Sequence, residues 1–170
     1  MSETIRHLSH DLHPAVLQHA GLVAALKGSC ADLGSLYRLD VVFHGDDGLE
    51  PIPADVALCL YRVAQEALHN AARHADARRV EVTLTRQAEN ILELRVADDG
   101  RGVDVSAARG SGGLGLISID ERVRLVSRRV SIESERGHGT VVRAQVPLPV
   151  YAATPVEVEE DEPSESAARG

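Results

Sequence analysis

The sequence predicts an α/β (α+β) two-layer sandwich, with helices packed on one face of a mixed, mainly antiparallel sheet. Three observations predict it. VEVTLT at 80–85 and ILELRVAD at 91–98 alternate apolar and polar residues, as strands with one buried face do. Val56, Leu60, Val63, Ala67 and Ala71 recur at helical spacing and give one apolar stripe over 54–74. Helix, strand, helix and then three or four strands with one inserted helix follow each other in the chain, and helices and sheet must bury their apolar faces against one another.

The elements follow in order. Residues 4–34 read as helix, with Leu8, Leu12, Val16 and Ala20 on one face and interruptions expected near Pro14 and around Gly28. RLDVVFH at 38–44 reads as a strand, and the acidic, turn-rich GDDGLEPIP at 45–53 as a connection. The next helix starts near Ala54, with Pro53 at its entry, and runs to about His74. ADAR at 75–78 links it to the first strand of a hairpin, and RQAEN turns into the second. Residues 99–113 are loop, and Leu114 to about Ser127 reads as helix. VSIESE and TVVRAQVPL are two more strands joined by RGHG. Three regions result: 1–35, an N-terminal helical segment; 36–149, the sandwich; and 150–170, an acidic tail expected to be disordered.

Composition narrows the function. Aromatic residues make up 2% of the chain, so the core is aliphatic and base-stacking modules are disfavoured. The net charge is −8, but 152–170 holds six acids against one base, so the body is nearly balanced. With no basic stripe, no nucleic-acid partner is expected. Cys30 and Cys59 show no metal-ligand spacing and fit a reducing compartment. No apolar run approaches the roughly 20 residues of a membrane span, and no signal peptide is visible, so the expected location is cytoplasmic, without membrane contact by this domain. A membrane-anchored parent protein stays open.

Three stretches carry candidate chemistry. On the helix at 54–74, Glu66, Asn70 and Arg73 fall within about a 60° arc, with His74 about 40° beyond Asn70. Carboxylate and amide oxygens suit Mg²⁺ and the cations suit phosphate. Equally, such a cluster is an ordinary solvated helix edge. In ILELRVAD, Asp98 shares the core-facing row of Leu92, Leu94 and Val96. A buried carboxylate needs a partner, and an exocyclic amine such as adenine N6 supplies one. Gly100 and Gly102 remove side chains just beyond it, which would let a flat ligand approach; D-D-G is also good turn chemistry. Finally, GSGGLGL at 110–116 leads into a helix N-terminus, where free N–H groups favour phosphate. It matches neither the P-loop pattern nor a dinucleotide-binding βαβ unit, and a surface loop is the plainer reading.

As an ordered set these stretches are distinctive. Glu66-Asn70-Arg73-His74, then Asp98-Gly100-Gly102, then Gly113-Gly115-Leu116, then Gly137-Gly139-Thr140 closely resembles the Bergerat ATP-binding (GHKL) fold of gyrase, the Hsp90 chaperones, histidine kinases and MutL, over roughly residues 38–148. VAQEALHNAARHADA, DDGRG and GLGLISIDERV resemble the sensor histidine kinases that signal to response regulators with a helix-turn-helix output domain. LSHDLHPAVLQHAGLVAAL resembles the second helix of their dimerisation and phosphotransfer hairpin, with the link into the ATP-binding domain.

The resemblance implies the cofactors ATP and Mg²⁺. Asn70 would coordinate the ion, with Glu66 near it, and these two are the catalytic candidates. Arg73 and His74 would approach phosphate or ribose. Asp98 would bind adenine N6 with Thr140 nearby, and Gly100 and Gly102 would floor the adenine pocket. Residues 103–112, from Val103, would form a lid, with Gly113, Leu114, Gly115 and Leu116 at its hinge and phosphate contact. The partner implied is a response regulator, with a homodimer through the apolar face of 5–26 as a further candidate.

One departure matters. A histidine kinase phosphorylates a histidine on the first hairpin helix, and only one long helix fits before residue 38. His10-Asp11 has the form of a phosphoacceptor pair. The following PAVLQHAGL matches the second helix, so the acceptor is expected outside this chain. The expected function is the ATP-binding catalytic domain of a sensor histidine kinase, binding ATP without efficient autophosphorylation. The alternatives are a serine kinase of the anti-sigma-factor type and a non-catalytic nucleotide-binding module.

Overall fold

The computed structural model describes residues 3–45, 47–49, 51–87, 90–103 and 129–149, the side chains of 3–15 and 47 excepted. The elements are α1 (Glu3–Tyr37), β1 (Asp40–Gly45), a short 3-10 turn (Asp47–Leu49), α2 (Ala54–His74), β2 (Arg79–Gln87), β3 (Ile91–Asp98), β4 (Arg129–Ser134) and β5 (Thr140–Pro147). The helix expected from Leu114 lies outside the described residues.

The five strands form one sheet in the order β1-β2-β3-β5-β4. β1 and β2 run parallel, with α2 as their crossover, and the other three pairings are antiparallel. The sheet is therefore mixed and mainly antiparallel, and α1 and α2 pack on one face. Strand alternation sets that face. Val80, Val82 and Leu84 of β2, Leu92, Leu94 and Val96 of β3, and Val142, Ala144 and Val146 of β5 are buried. Their neighbours Glu81, Thr83, Glu93 and Arg95 lie on the opposite face. The whole apolar stripe of α2 is buried against that row. Each fully buried leucine or valine contributes about 1.5–3 kcal/mol of burial free energy before entropy is counted.

The ends of α2 follow local chemistry. Pro53 stands at the N-cap, pre-set near helical φ, and its carbonyl accepts the first helical bond from Ala57 N–H at 2.9 Å. At the other end a four-residue link turns directly into β2. α1 differs from the interruptions expected at Pro14 and Gly28. The backbone stays helical through both and breaks at Gly21 (φ 81°, ψ 175°), so α1 is two helices in series. That conformation is essentially restricted to glycine, whereas Gly28 needs none of its freedom. The second half of α1 sends Leu22, Val23, Ala25, Leu26, Cys30 and Leu33 into the same core as the sheet. It ends with Arg38 at positive φ and Leu39 N–H donating back to Gly34 O at 3.0 Å, a left-handed helix cap.

No helix among the described residues is long and apolar enough to cross a membrane. Cys30 and Cys59 are free thiols, both buried. Burial pushes the Cys30 thiol up to about 12, so it stays protonated.

Candidate functional site

Topology gathers the candidates at one end of the sheet. α2 leads into β2 through the link at 75–78, so its C-terminal end lies beside the start of β2. In the antiparallel ladders that is also the end of β3, the start of β5 and the end of β4: Val80 pairs with Asp98, Asp98 with Thr140, and Thr140 with Ser134.

Asp98 sits half-buried at the end of β3. Gly100 N–H donates to its Oδ1 at 2.9 Å, and Thr140 N–H donates to the same carboxylate. Burial raises the Asp98 pKa above the ordinary 3.8, the two amides oppose that rise, and the neighbouring Asp99 carboxylate adds to it. Asp99 has a different task. Its exposed Oδ1 accepts from Arg78 N–H at 2.8 Å and Arg79 N–H at 2.9 Å, tying the α2–β2 link to the end of β3. Those bonds hold its pKa below the ordinary value.

The glycines have a packing role of their own. A Cβ on Gly100 would meet the carbonyl of Ala75, and Arg101 N–H donates to that carbonyl at 2.7 Å. A Cβ on Gly102, at φ +62°, would strike the carbonyl of Glu135. Where a Cβ would point, each of these glycines meets the protein's own backbone. These glycines let the 99–103 loop lie against the end of α2 and the β4–β5 turn. Gly139, at φ +77°, does the same against the carbonyl of Asp98.

Ser134 was not singled out from the sequence. Its Oγ accepts from Val103 N–H at 2.8 Å, donates to Gly139 O at 3.0 Å and lies 2.9 Å from Thr140 Oγ1. A lone serine at a strand end carries no spacing signal. Only the register that sets Ser134 opposite Thr140 makes it visible.

On α2, Glu66 and Asn70 stand one turn apart and half-buried, and neither side chain has a hydrogen-bond partner among the described residues. Two oxygen-bearing side chains fit an ion that takes one or two protein oxygens and completes its shell with phosphates and water, as Mg²⁺ does. No group of three or more His, Cys, Asp or Glu with metal-holding geometry exists among the described residues, so a protein-only metal cage is not offered there. Arg73 is exposed; its Nε donates to Tyr37 Oη at 3.1 Å, and the guanidinium lies 5.9 Å from the Tyr37 ring centre. Tyr37, at the end of α1, thus holds Arg73 by one nitrogen. His74 is exposed on the last turn. The structure therefore joins Asp98, Gly100, Thr140 and, through Ser134, Val103 in one hydrogen-bonded cluster, with Gly102 packed beside it against the carbonyl of Glu135 and Gly100 against Ala75 at the end of α2. Gly113, Leu114, Gly115 and Leu116, with all of the expected lid except Val103, lie outside the described residues. So does the side chain of His10.

Residues 55–150 match the family described as histidine kinase-, DNA gyrase B-, and HSP90-like ATPase. The chain is 34% identical over 146 residues to the oxygen sensor histidine kinase NreB of Staphylococcus carnosus, covering 86% of this chain and 42% of that protein. It is 34% identical over 145 residues to the sensor histidine kinase MctS of Rhizobium johnstonii, covering 84% of this chain and 31% of that one. It thus spans less than half the length of either relative. Among solved structures, the histidine kinase domain of the blue-light activated histidine kinase of Erythrobacter litoralis superposes with a TM-score of 0.65 at 24% identity, over 75% of this chain and 61% of that one.

Proposed function

Because the chain belongs to the histidine kinase-, DNA gyrase B-, and HSP90-like ATPase family, with sensor histidine kinases among its relatives, we propose that it is the ATP-binding catalytic domain of a sensor histidine kinase. In this reading it binds ATP with Mg²⁺ and donates the γ-phosphoryl group to a histidine supplied by another segment or chain. One observation carries the reading: a half-buried carboxylate, Asp98, anchored by two backbone amides at the sheet end beside the C-terminal end of α2, the helix that carries Glu66 and Asn70.

The residues divide the work. Asp98 accepts from the adenine amine, and Thr140 stands beside it. Asn70 and Glu66 would hold Mg²⁺, which when bound supplies charge neutralisation on the phosphates. Arg73, fixed at Nε by Tyr37, has its terminal nitrogens available to phosphate among the described residues, and His74 adds a second cationic candidate. Gly100, Gly102 and Val103 shape the loop beside Asp98. Gly113, Leu114, Gly115 and Leu116 are proposed for the phosphates, on the sequence expectation that they lead into a helix. Phosphoryl transfer depends mainly on positioning and charge neutralisation, so this site supplies the donor, and the acceptor imidazole displaces ADP from the γ-phosphorus. In the parent kinase, residues 1–35 serve as the second hairpin helix and the link. The dimer forms through the apolar face of 5–26, and a response regulator of the helix-turn-helix class takes the phosphoryl group.

Calorimetric titration with ATP and ADP, with and without Mg²⁺, tests the reading. Wild type binds both nucleotides. Asp98→Asn reduces affinity for each by about tenfold or more, a buried charge-assisted hydrogen bond being worth about 1.5–3 kcal/mol. Asn70→Ala removes the Mg²⁺-dependent part and spares the rest. A wild type that binds no adenine nucleotide at millimolar concentration overturns the proposal.

A further inference from the structure

Ser134 has a hydroxyl whose bonding capacity is fully used. It owns one proton and two lone pairs. The carbonyl of Gly139, 3.0 Å away, can only accept, so the Ser134 proton goes there. Directing that proton at Thr140 instead would set two lone-pair-bearing oxygens against each other at 3.0 Å. The amide of Val103 takes one lone pair. Thr140 Oγ1, at 2.9 Å, must then donate its own proton to the other. Thr140 is left with lone pairs only.

We propose that Ser134 is a positioning residue: it commits the Thr140 proton inward, so that Thr140 Oγ1 and the Asp98 carboxylate both face the purine as acceptors. The inference rests on the reading that Asp98 and Thr140 meet the base. An acceptor pair welcomes an exocyclic amine and repels a carbonyl at the same ring position. Asp98 alone gives part of this selectivity. A freely turning Thr140 hydroxyl would weaken it, because it could rotate to donate to a carbonyl. The chain from Gly139 O through Ser134 to Thr140 removes that option. It also ties Val103, the last described residue of the loop, to the same hydroxyl, so loop position and proton direction are set together.

The test compares ATP with inosine triphosphate, which carries a carbonyl in place of the amine and the same phosphates. Calorimetry on the full chain gives the ratio of the two affinities. Wild type prefers ATP. Ser134→Ala lowers the ratio by about fivefold, the worth of one net hydrogen bond, with part of the change appearing as tighter inosine triphosphate binding. Ser134→Thr, which keeps the hydroxyl, restores it. Thr140→Val lowers the ratio by itself, and adding Ser134→Ala to it changes nothing further. This second route serves if Ser134→Ala does not fold. Equal losses for both nucleotides in Ser134→Ala would make Ser134 merely structural and overturn the inference while ATP binding stands. A ratio lowered in Ser134→Thr as much as in Ser134→Ala would also overturn it. If wild type binds neither nucleotide, both the inference and the function it rests on fall.

Discussion

At Asp98, burial and hydrogen bonding pull in opposite directions, and burial wins. The folded pKa is raised above the ordinary 3.8 despite two amide donors. The sign of the consequence is fixed. Between 3.8 and the raised value the folded state holds more protons than the unfolded one, so stability falls as pH rises through that window. At neutral pH the ionised carboxylate works against folding, a cost that fits the ligand-binding role proposed for it. The Asp98→Asn chain without nucleotide therefore melts at or above the wild-type temperature at pH 7.5, and its advantage shrinks as the pH is lowered into the window. Differential scanning calorimetry over pH 4–8 reads this directly; a variant less stable than wild type at pH 7.5 and equal to it at low pH would reverse the sign. The ionised carboxylate is the stronger acceptor toward an amine, so, on the proposed reading, nucleotide affinity begins to fall on acidification at a higher pH than an ordinary aspartate would give. Asp99 illustrates the limit of sequence reading at this scale. In DDG the two carboxylates look alike, yet one is half-buried toward the site and the other is exposed and ties down the α2–β2 link.

Among the elements, glycines with one side chain's worth of freedom do opposite things. Gly139 sits at φ +77° with its absent Cβ aimed at the carbonyl of Asp98, while Gly28 is helical with open space around it. Gly139→Ala is expected to cost about 2 kcal/mol or more, the strain of a left-handed conformation plus a backbone clash. Gly28→Ala is expected to stabilise by about 0.5–1 kcal/mol, the difference in helix propensity. Urea denaturation of the two variants gives both signs, and a neutral Gly139→Ala would show that the β4–β5 turn can move away from β3. Strands and α2 were legible in the sequence to within two residues, because alternation and the 3.6-residue stripe record which face is buried. The break in α1 was misplaced. Proline and glycine mark where a helix can be interrupted, but Gly21 was chosen by how the second half must lie on α2, which is tertiary information. Ser134 was missed for the same reason: its partners are contributed by the loop after β3 and by the start of β5.

Across the whole molecule, the core does not end where the motif pattern suggests a boundary. The motif pattern separates 1–35 from the sandwich, yet Leu22 and Leu26 are completely buried and Leu17, just before the Gly21 break, reaches 9% exposure in the same cluster. Removing a buried leucine costs about 2–5 kcal/mol, and a domain of this size holds only about 5–15 kcal/mol in total. Losing Leu22, Leu26 and Leu33 together exhausts that margin. A chain beginning at residue 36 is therefore expected to show no cooperative thermal transition. A chain beginning at residue 16 keeps every buried residue of α1 among the described side chains, and is expected to melt within about 3 °C of the full chain and to bind ATP with the same affinity. Circular dichroism melts and nucleotide titration of the two chains decide the matter. Cooperative melting of the shorter one would make α1 a docked appendage. Its loss would make the second half of α1 a structural layer of the nucleotide domain, with Tyr37 at its end holding the guanidinium of Arg73 by a hydrogen bond.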